Sequence, residues 1–483
     1  MATHPQWALA HKKTGTELRL LNGKYYLYEV TSKWNKEKKR SQKITGTFLG
    51  TITQKDGLVE SPKRKLEHKP SVISSVCIKE YGITHFIESL LTDYKEKLAK
   101  HFPKYWREIL CLAYGRLAEQ SPLKNMEHHY LHSYLSVLYP ELDIRGKTLS
   151  VSLRELGYER EKINAFFREF APAANDCILF DGTDILSRSN KIGLCEMSKF
   201  KKGTYESVIN AMFIFSVEMQ LPIYYRLLNG KIKDVKPFKL CLKESGIKDA
   251  VIISDKGFYS QANITELETE QLKYIIPLCR NNTLIDYSII SQNNKKLFNG
   301  YFEHEKRFIW HYCIPINENT KLFIYLDEEL RTREERDFLN RIDKKIEGYL
   351  IEKYYQKQHA FGTIAMLSNA DKKADEIYAD YKSRAQIEEM IDSMKTVVES
   401  DKTYMQNEQT LEAWMFINYI ALHWYYIILK LLKTNKLNDK FSPSDLLIKL
   451  KDVRKAKVNG QWYNAEITAK TQNLIKCIGI PIT

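Results

Sequence analysis

This 483-residue chain predicts an α/β catalytic region preceded by a basic hairpin and a helical stretch. Three observations carry that expectation. Between Cys177 and Ser254, three β-rich runs are followed by a helix and a short, fully apolar strand. Between Tyr25 and Thr53, β-forming residues alternate with Lys, Gly and Thr. From Ile83 to about Tyr139, apolar residues recur at helical spacing. At roughly 150 residues per domain the length suggests about three units. The hydrophobic share of 43% excludes a wholly disordered or collagen-like chain.

The hairpin is the basic element. The chain carries 74 Lys and Arg against 60 Asp and Glu, a net charge of +14, and residues 31–70 alone hold a surplus of seven positive charges. A concentrated cationic surface displaces the condensed counterions of a polyanion, so nucleic acid is the first partner to consider. Hairpin and helices together make an N-terminal region, residues 1–150, of the size of a domain. His128, His129 and His132 lack a carboxylate or Cys to complete a ligand set and are read as ordinary helix residues.

Next comes the strand Cys177–Phe180, running into Asp181. The β runs Ser207–Val217 and Leu221–Leu228, the helix Val235–Ser245, the apolar strand Ala250–Ser254 ending at Asp255, and the strand Lys273–Leu278 follow. This is the order of an RNase H-like sheet, assigned to residues 175–280. Strand-like alternation and one charged helix over residues 281–359 read as a mostly β insertion. The strand GTIAMLS and a long helix, roughly Lys373–Val398, resume the catalytic domain over residues 360–432, and residues 433–483 form a C-terminal extension. Trp414–Leu432 approaches the ~20 residues of a membrane span. Asn418, His423 and Lys430 interrupt it, so a buried core helix is expected and no membrane partner.

The long helix carries a chemical face. At about 100° per residue, Tyr381, Arg384, Glu388 and Lys395 fall within a band of about 60°. Ile387, Met390, Ile391 and Met394 provide an apolar side to anchor it. With Asp181 and Asp255 at the ends of two strands, Glu388 completes an all-oxygen set suited to Mg²⁺ or Mn²⁺ rather than zinc. Two such ions, about 3.5 to 4 Å apart, serve a phosphodiester in-line displacement. Tyr381, Arg384 and Lys395 would then face the flanking phosphates. Asp392, about 40° from Glu388, is the rival third carboxylate, whereas Asp184, an odd step from Asp181, is expected on the other strand face.

The stretches FDGTDI (Phe180–Ile185), ISDKGFYS (Ile253–Ser260) and Y-x-x-R-x-x-x-E-x-x-x-x-x-x-K (Tyr381–Lys395) resemble the motifs of DDE transposases of bacterial insertion sequences. The subgroup is the one with a Tyr-Arg-Glu-Lys signature and a β-rich insertion before the Glu. The resemblance implies Asp181, Asp255 and Glu388 as the metal-binding triad, and an activity that cuts the ends of a mobile element and joins their 3′ hydroxyls to target DNA. It implies an orienting role for Thr183 and a DNA-facing position for Lys256 and Gly257. It also implies that the N-terminal region binds element ends; the resemblance does not extend residue by residue to Lys33, Lys36, Lys38, Lys39 and Arg40, which the basic charge there makes candidate phosphate contacts. Expected partners are double-stranded DNA and a second copy of the chain or a larger assembly. Trp310 is a candidate base-stacking platform, although Phe308 and Ile309 favour a core tryptophan. The rival functions are a structure-selective nuclease on the same fold and a DNA-binding protein that has lost catalysis.

Eight scattered cysteines with no C-x-x-C pair read as reduced thiols, and the first fifteen residues lack the apolar core of a secretory signal. The expected location is the cytoplasm, on the nucleoid.

Overall fold

The alternation around Tyr25–Thr53 folds as an antiparallel pair, β2 (Lys24–Asn35) with β3 (Arg40–Thr53). β1 (Thr16–Leu21) flanks β2 and β4 (Gly57–Glu60) flanks β3. Asn22 and Gly23 join β1 to β2 with φ of 47° and 72°, a tight turn in a region that Gly, and next to it Asn, tolerate best. One face of this sheet closes over Ala8, Leu18, Leu27, Leu49 and Ile52. The computed structural model describes residues 4–35, 38, 40–61, 75–199, 205–229, 235–480 and 482. It divides into two compact units, Met1–Cys77 with Lys457–Gln461, and Ile78–Ala456 with Trp462–Thr483.

After β5 (Val76–Glu80), the large unit is built on one sheet. Its first part comprises β6 (Cys177–Ser187), β7 (Glu196–Lys199), β8 (Tyr205–Ser216), β9 (Leu221–Leu228), β10 (Val251–Ile253) and β11 (Lys273–Leu278). β6 pairs antiparallel with β8, and β8 with β9, whereas β10 lies parallel to both β6 and β11. The central strands are nearly continuous apolar runs because both faces are covered.

Three expectations meet a different structure. β6 does not stop at Phe180. Ile185 and Ser187 are buried and pairing with β8 continues to Leu186, so Asp181 sits within a strand rather than at its end. The insertion is mixed rather than mostly β, because the helix Glu328–Asp343 is longer than any of its strands and is held by ion pairs one turn apart, Arg331–Glu335 and Arg341–Asp337 among them. Its strands β12 (Gly300–His304), β13 (Arg307–Pro315) and β14 (Lys321–Asp327) extend the main sheet through β15 (Thr363–Ser368), which pairs antiparallel with β11. The long helix is two helices, Ala374–Lys382 and Ala385–Thr396, broken at Ser383 and Arg384.

The helix Glu408–Thr434 is long and apolar enough to cross a membrane, yet most of it is buried inside the protein. Its polar interruptions have partners there. Asn418 accepts from Arg116, and His423 bonds the Tyr94 hydroxyl, burial pushing its imidazole down to about 3. The helix Gly146–Tyr158 comes so close that a Cβ on Gly157 would stand 1.8 Å from the Gln409 carbonyl oxygen. Residues 78–150 thus share the large core with the sheet.

Candidate active site

Register brings the two aspartates together. Ile253 of β10 stands opposite Leu179 of β6 in a parallel pair, and Asp255 and Asp181 each lie two residues further on. Adjacent strands are about 4.8 Å apart, so the two carboxylates leave neighbouring backbones. The third acid arrives on the helix Ala385–Thr396, whose Ile387, Met390, Ile391 and Met394 are buried, leaving Glu388 exposed in its first turn. A carboxylate there is favoured by the helix dipole.

All three meet at one cation. The Arg384 guanidinium places Nη2 3.2 Å from Asp181 Oδ2 and 3.9 Å from Asp255 Oδ1, and Nη1 2.5 Å from Glu388 Oε1. Arg384 is the most enclosed of the four, 15% exposed against 26%, 48% and 57% for Asp181, Asp255 and Glu388. Burial raises the Asp181 carboxyl above the usual carboxylate range. The Gly182 N–H, 2.8 Å from Oδ1, and Arg384 pull against that shift, while Asp255 and Glu388 add to it.

Asp181 and Asp255, but not Glu388, border a cavity of about 680 Å³, together with Thr183, Asp184, Ser254, Gly257, Asp392 and Lys395. Asp184 is there against expectation, since the cavity follows the length of β6 and meets alternate residues alike. The helix's acid that borders it is Asp392, the rival to Glu388, while Glu388 is the one joined to Arg384. A Cβ on Gly257 would stand 3.9 Å from Asp255 Oδ2, on the floor of this space. Through Lys395, Thr396 and Asp401 the cavity adjoins a second one of about 740 Å³, bordered by Lys124, Lys402 and the exposed Tyr404.

The other expected residues are dispersed around this centre. Thr183 is buried, two residues along the strand from Asp181. Tyr381 is half-buried at the end of the preceding helix, its phenol raised by burial, with Arg384 lowering it and Asp255 and Glu388 raising it further. Lys256 is exposed in the turn after Asp255. Arg384, expected among phosphates, is engaged with carboxylates. Trp310 is half-buried against Phe298 and Tyr301, with the Lys295 ammonium 5.3 Å from its ring centre. Lys33, Lys38 and Arg40 belong to the hairpin of the small unit, exposed, with Lys38 in its turn. Lys36 and Lys39 lie outside the described residues.

Two participants escaped the sequence. The Ser254 hydroxyl is buried beside Asp255, and among the described residues it has no hydrogen-bond partner. Its only signal was adjacency to Asp255. Arg116, from the helix Trp106–Ala118, donates to the carbonyls of Val398 and Glu399, just past the end of the helix carrying Glu388. Nothing in its sequence context marked it.

Three acids and one guanidinium leave an excess of negative charge, and the donors are hard oxygens, with the partnerless Ser254 hydroxyl nearby. That chemistry fits a divalent cation such as Mg²⁺. Among the described residues, no three His, Cys, Asp or Glu side chains are grouped to hold a metal as they stand. The guanidinium separates these three.

The sequence profile of the Transposase DDE domain family matches residues 172–424, just over half of the chain. Among solved structures, the cryo-EM structure of the piggyBac transposase synaptic complex with hairpin DNA resembles the chain at 12% identity, with 79% of this chain and 81% of that one covered and a TM-score of 0.40. No curated protein matches it. On the span of the profile match, which takes in Asp181, Asp255 and Glu388, the chain belongs to the DDE transposase family.

Proposed function

We propose that this protein is a metal-dependent DNA strand transferase, which cleaves the ends of a mobile element and joins the freed 3′ hydroxyls to target DNA. The observation that supports it best is the convergence of Asp181, Asp255 and Glu388, from two strands and one helix, on a single cation. In this reading those three side chains hold Mg²⁺, with Mn²⁺ as a substitute. When bound, the metal supplies Lewis-acid stabilisation of the attacking and leaving oxygens.

The chain's own residues do the rest. Asp181 leaves β6 with one oxygen held by its own Gly182 N–H, so its carboxylate is oriented before substrate arrives. Arg384 neutralises the acids in the metal-free site, and with a metal held by them its guanidinium would be free for a phosphate oxygen. Lys395, bordering the cavity, and Lys256, beside Asp255, hold the backbone of the strand being cut, while the Tyr381 phenol donates to a neighbouring phosphate. Thr183, which borders the same cavity two residues along the strand, helps orient the Asp181 carboxylate.

The Tyr-Arg-Glu-Lys spacing supports assignment to that subgroup. The order β9-β8-β6-β10-β11, antiparallel and then parallel, supports an RNase H-like domain over residues 175–280 and 360–432. Residues 281–359 form its insertion, residues 1–150 bind element ends with Lys38, Lys39 and Arg40 among the contacts, and residues 433–483 extend the C-terminus. The working state is a dimer or larger assembly on paired DNA ends, on the nucleoid in the cytoplasm.

The test uses the DNA flanking the gene as substrate, both intact and precut with a free 3′ hydroxyl, with target plasmid and Mg²⁺. Asp181→Asn, Asp255→Asn and Glu388→Gln should each abolish cleavage and joining while end binding stays within a few-fold. Cleavage without joining by the unaltered protein would favour a nuclease, and cutting by all three variants would overturn the assignment.

A further inference from the structure

Beyond Glu29 and Thr45 the hairpin of the small unit has no third strand among the described residues. β1 pairs with β2 only from Lys24 to Glu29, and β4 pairs with β3 only from Gly50 to Thr53. The segments 30–35 and 40–45 therefore form a free two-stranded ribbon, offset from the sheet by irregularities in register between Leu27 and Val30. Thr31–Trp34 and Arg40–Thr45 are exposed on both faces. Apart from Lys43 and Thr45, which meet Glu17 and Arg19, the described side chains of the ribbon lie outside the small core, so packing there does not set their choice.

That choice is chemically one-sided. Residues 30–45 contain six Lys or Arg and one Glu. Directly opposed residues share a face, and alternate pairs return to it. One face thus carries Lys33 with Gln42 and Asn35 with Arg40, beyond Thr31 with Ile44. The other carries Ser32 with Lys43 and Trp34 with Ser41. On the first face the Asn35 amide donates to Gln42 Oε1 at 3.2 Å, a diagonal contact that holds both amides side by side. On the second, Lys43 is bound to Glu17 at 2.8 Å and Trp34 is 62% exposed.

We infer that this ribbon enters the major groove of duplex DNA and reads base edges with the Lys33, Asn35, Arg40 and Gln42 face. The inference deepens the DNA reading proposed above and rests on it. The major groove, about 12 Å wide, admits a two-stranded ribbon, whereas the minor groove, about 6 Å wide, does not. Six residues at about 3.4 Å each give a ribbon of roughly 20 Å. Asn and Gln match the paired donor and acceptor of adenine, Arg matches the two acceptors of guanine, and the lysine meets phosphate. Asn35 also accepts the Lys38 N–H through Oδ1 and so helps fix the turn, but a membrane or an acidic protein would use the cations and make no use of the Gln42 amide held beside it.

The experiment takes the full chain through selection on a random-sequence duplex pool, followed by dimethyl sulfate interference on the selected duplex. Interference at guanine N7, in the major groove, is expected. Asn35→Ala with Gln42→Ala should lower affinity for the selected duplex roughly tenfold or more and leave affinity for a scrambled duplex unchanged. Lys33→Ala with Arg40→Ala should weaken both, the selected duplex more, and reduce the salt slope by at least about one. Trp34→Ser, on the opposite face, should retain the preference. Interference confined to adenine N3 in the minor groove, a preference untouched by the amide pair, or equal loss in all three variants would overturn the inference while leaving the DNA reading intact. No binding to any duplex would overturn both.

Discussion

Arg384 and Asp181 are 203 residues apart in the chain, and the guanidinium of one lies 3.2 Å from the carboxylate of the other. The same guanidinium holds Glu388 and reaches Asp255. Carboxylates of like charge brought to one site repel by an amount that grows as solvent is excluded. Arg384 offsets that repulsion, which makes it both a stabiliser of the metal-free site and a competitor for it.

Replacing Arg384 by Gln should therefore lower stability without metal by about 1–2 kcal/mol, the modest figure reflecting the exposure of Glu388 and Asp255. The variant should gain more from added Mn²⁺ than the unaltered protein does. Thermal unfolding with and without Mn²⁺ reads both effects. Identical melting and identical metal shifts in the two proteins would contradict the competition.

Lys395 borders both adjoining cavities. If it grips phosphate, Lys395→Ala should weaken binding to every duplex alike and reduce the salt dependence by about one ion. Affinity measured across a salt series decides it, and an unchanged slope would remove Lys395 from the contact set.

Arg116 supports the site from behind. Its buried guanidinium donates to Asn418 Oδ1, to the Ser121 carbonyl at 2.7 Å and to the carbonyls of Val398 and Glu399, with no carboxylate among these partners, and burial lowers it to about 10. Four protein oxygens thus replace the water that burial removes from the guanidinium. Arg116→Met should cost about 2–4 kcal/mol, since it orphans several buried acceptors. Urea unfolding measures it, and a change below about 0.5 kcal/mol would show that the fork carries no load.

Glu80 gives a pH signature. Its carboxyl accepts from the Ile83 N–H, from the Thr84 hydroxyl at 2.8 Å and from the Tyr114 hydroxyl at 2.7 Å, and burial pushes it up to about 7. The folded value lies above the ordinary 4.5, so the protonated form is the one folding favours. Its contribution is present in full below about pH 4.5 and is lost as pH rises through about 7. Relative to Glu80→Gln, which stays neutral, stability should fall by about 2 kcal/mol between about pH 5 and pH 8. Parallel pH profiles for the two proteins would refute this.

Much of the sheet was legible because its strands are apolar on both faces. Leu221–Leu228, Val235–Ser245 and Lys273–Leu278 fall where periodicity put them. The extension of β6 past Asp181 was hidden by Gly182 and Asp184, weak strand formers that only pairing with β8 holds in place. The break between the helices at Ser383 and Arg384 contains neither Gly nor Pro, so no local signal announced it. The Arg384–Glu388 contact follows from helical spacing, whereas the contacts of Arg384 with Asp181 and Asp255 depend on how a helix packs on a sheet, which no local pattern encodes. For the same reason the insertion's strands looked separate, although they complete an existing sheet edge.

The most direct test of the central claim is a crystal structure of the protein with Mn²⁺, read in the anomalous difference map. The account predicts density among Asp181, Asp255 and Glu388 with the Arg384 guanidinium moved out from between them. Manganese bound elsewhere, with Arg384 still joining the three carboxylates in a protein that cuts DNA, would contradict it.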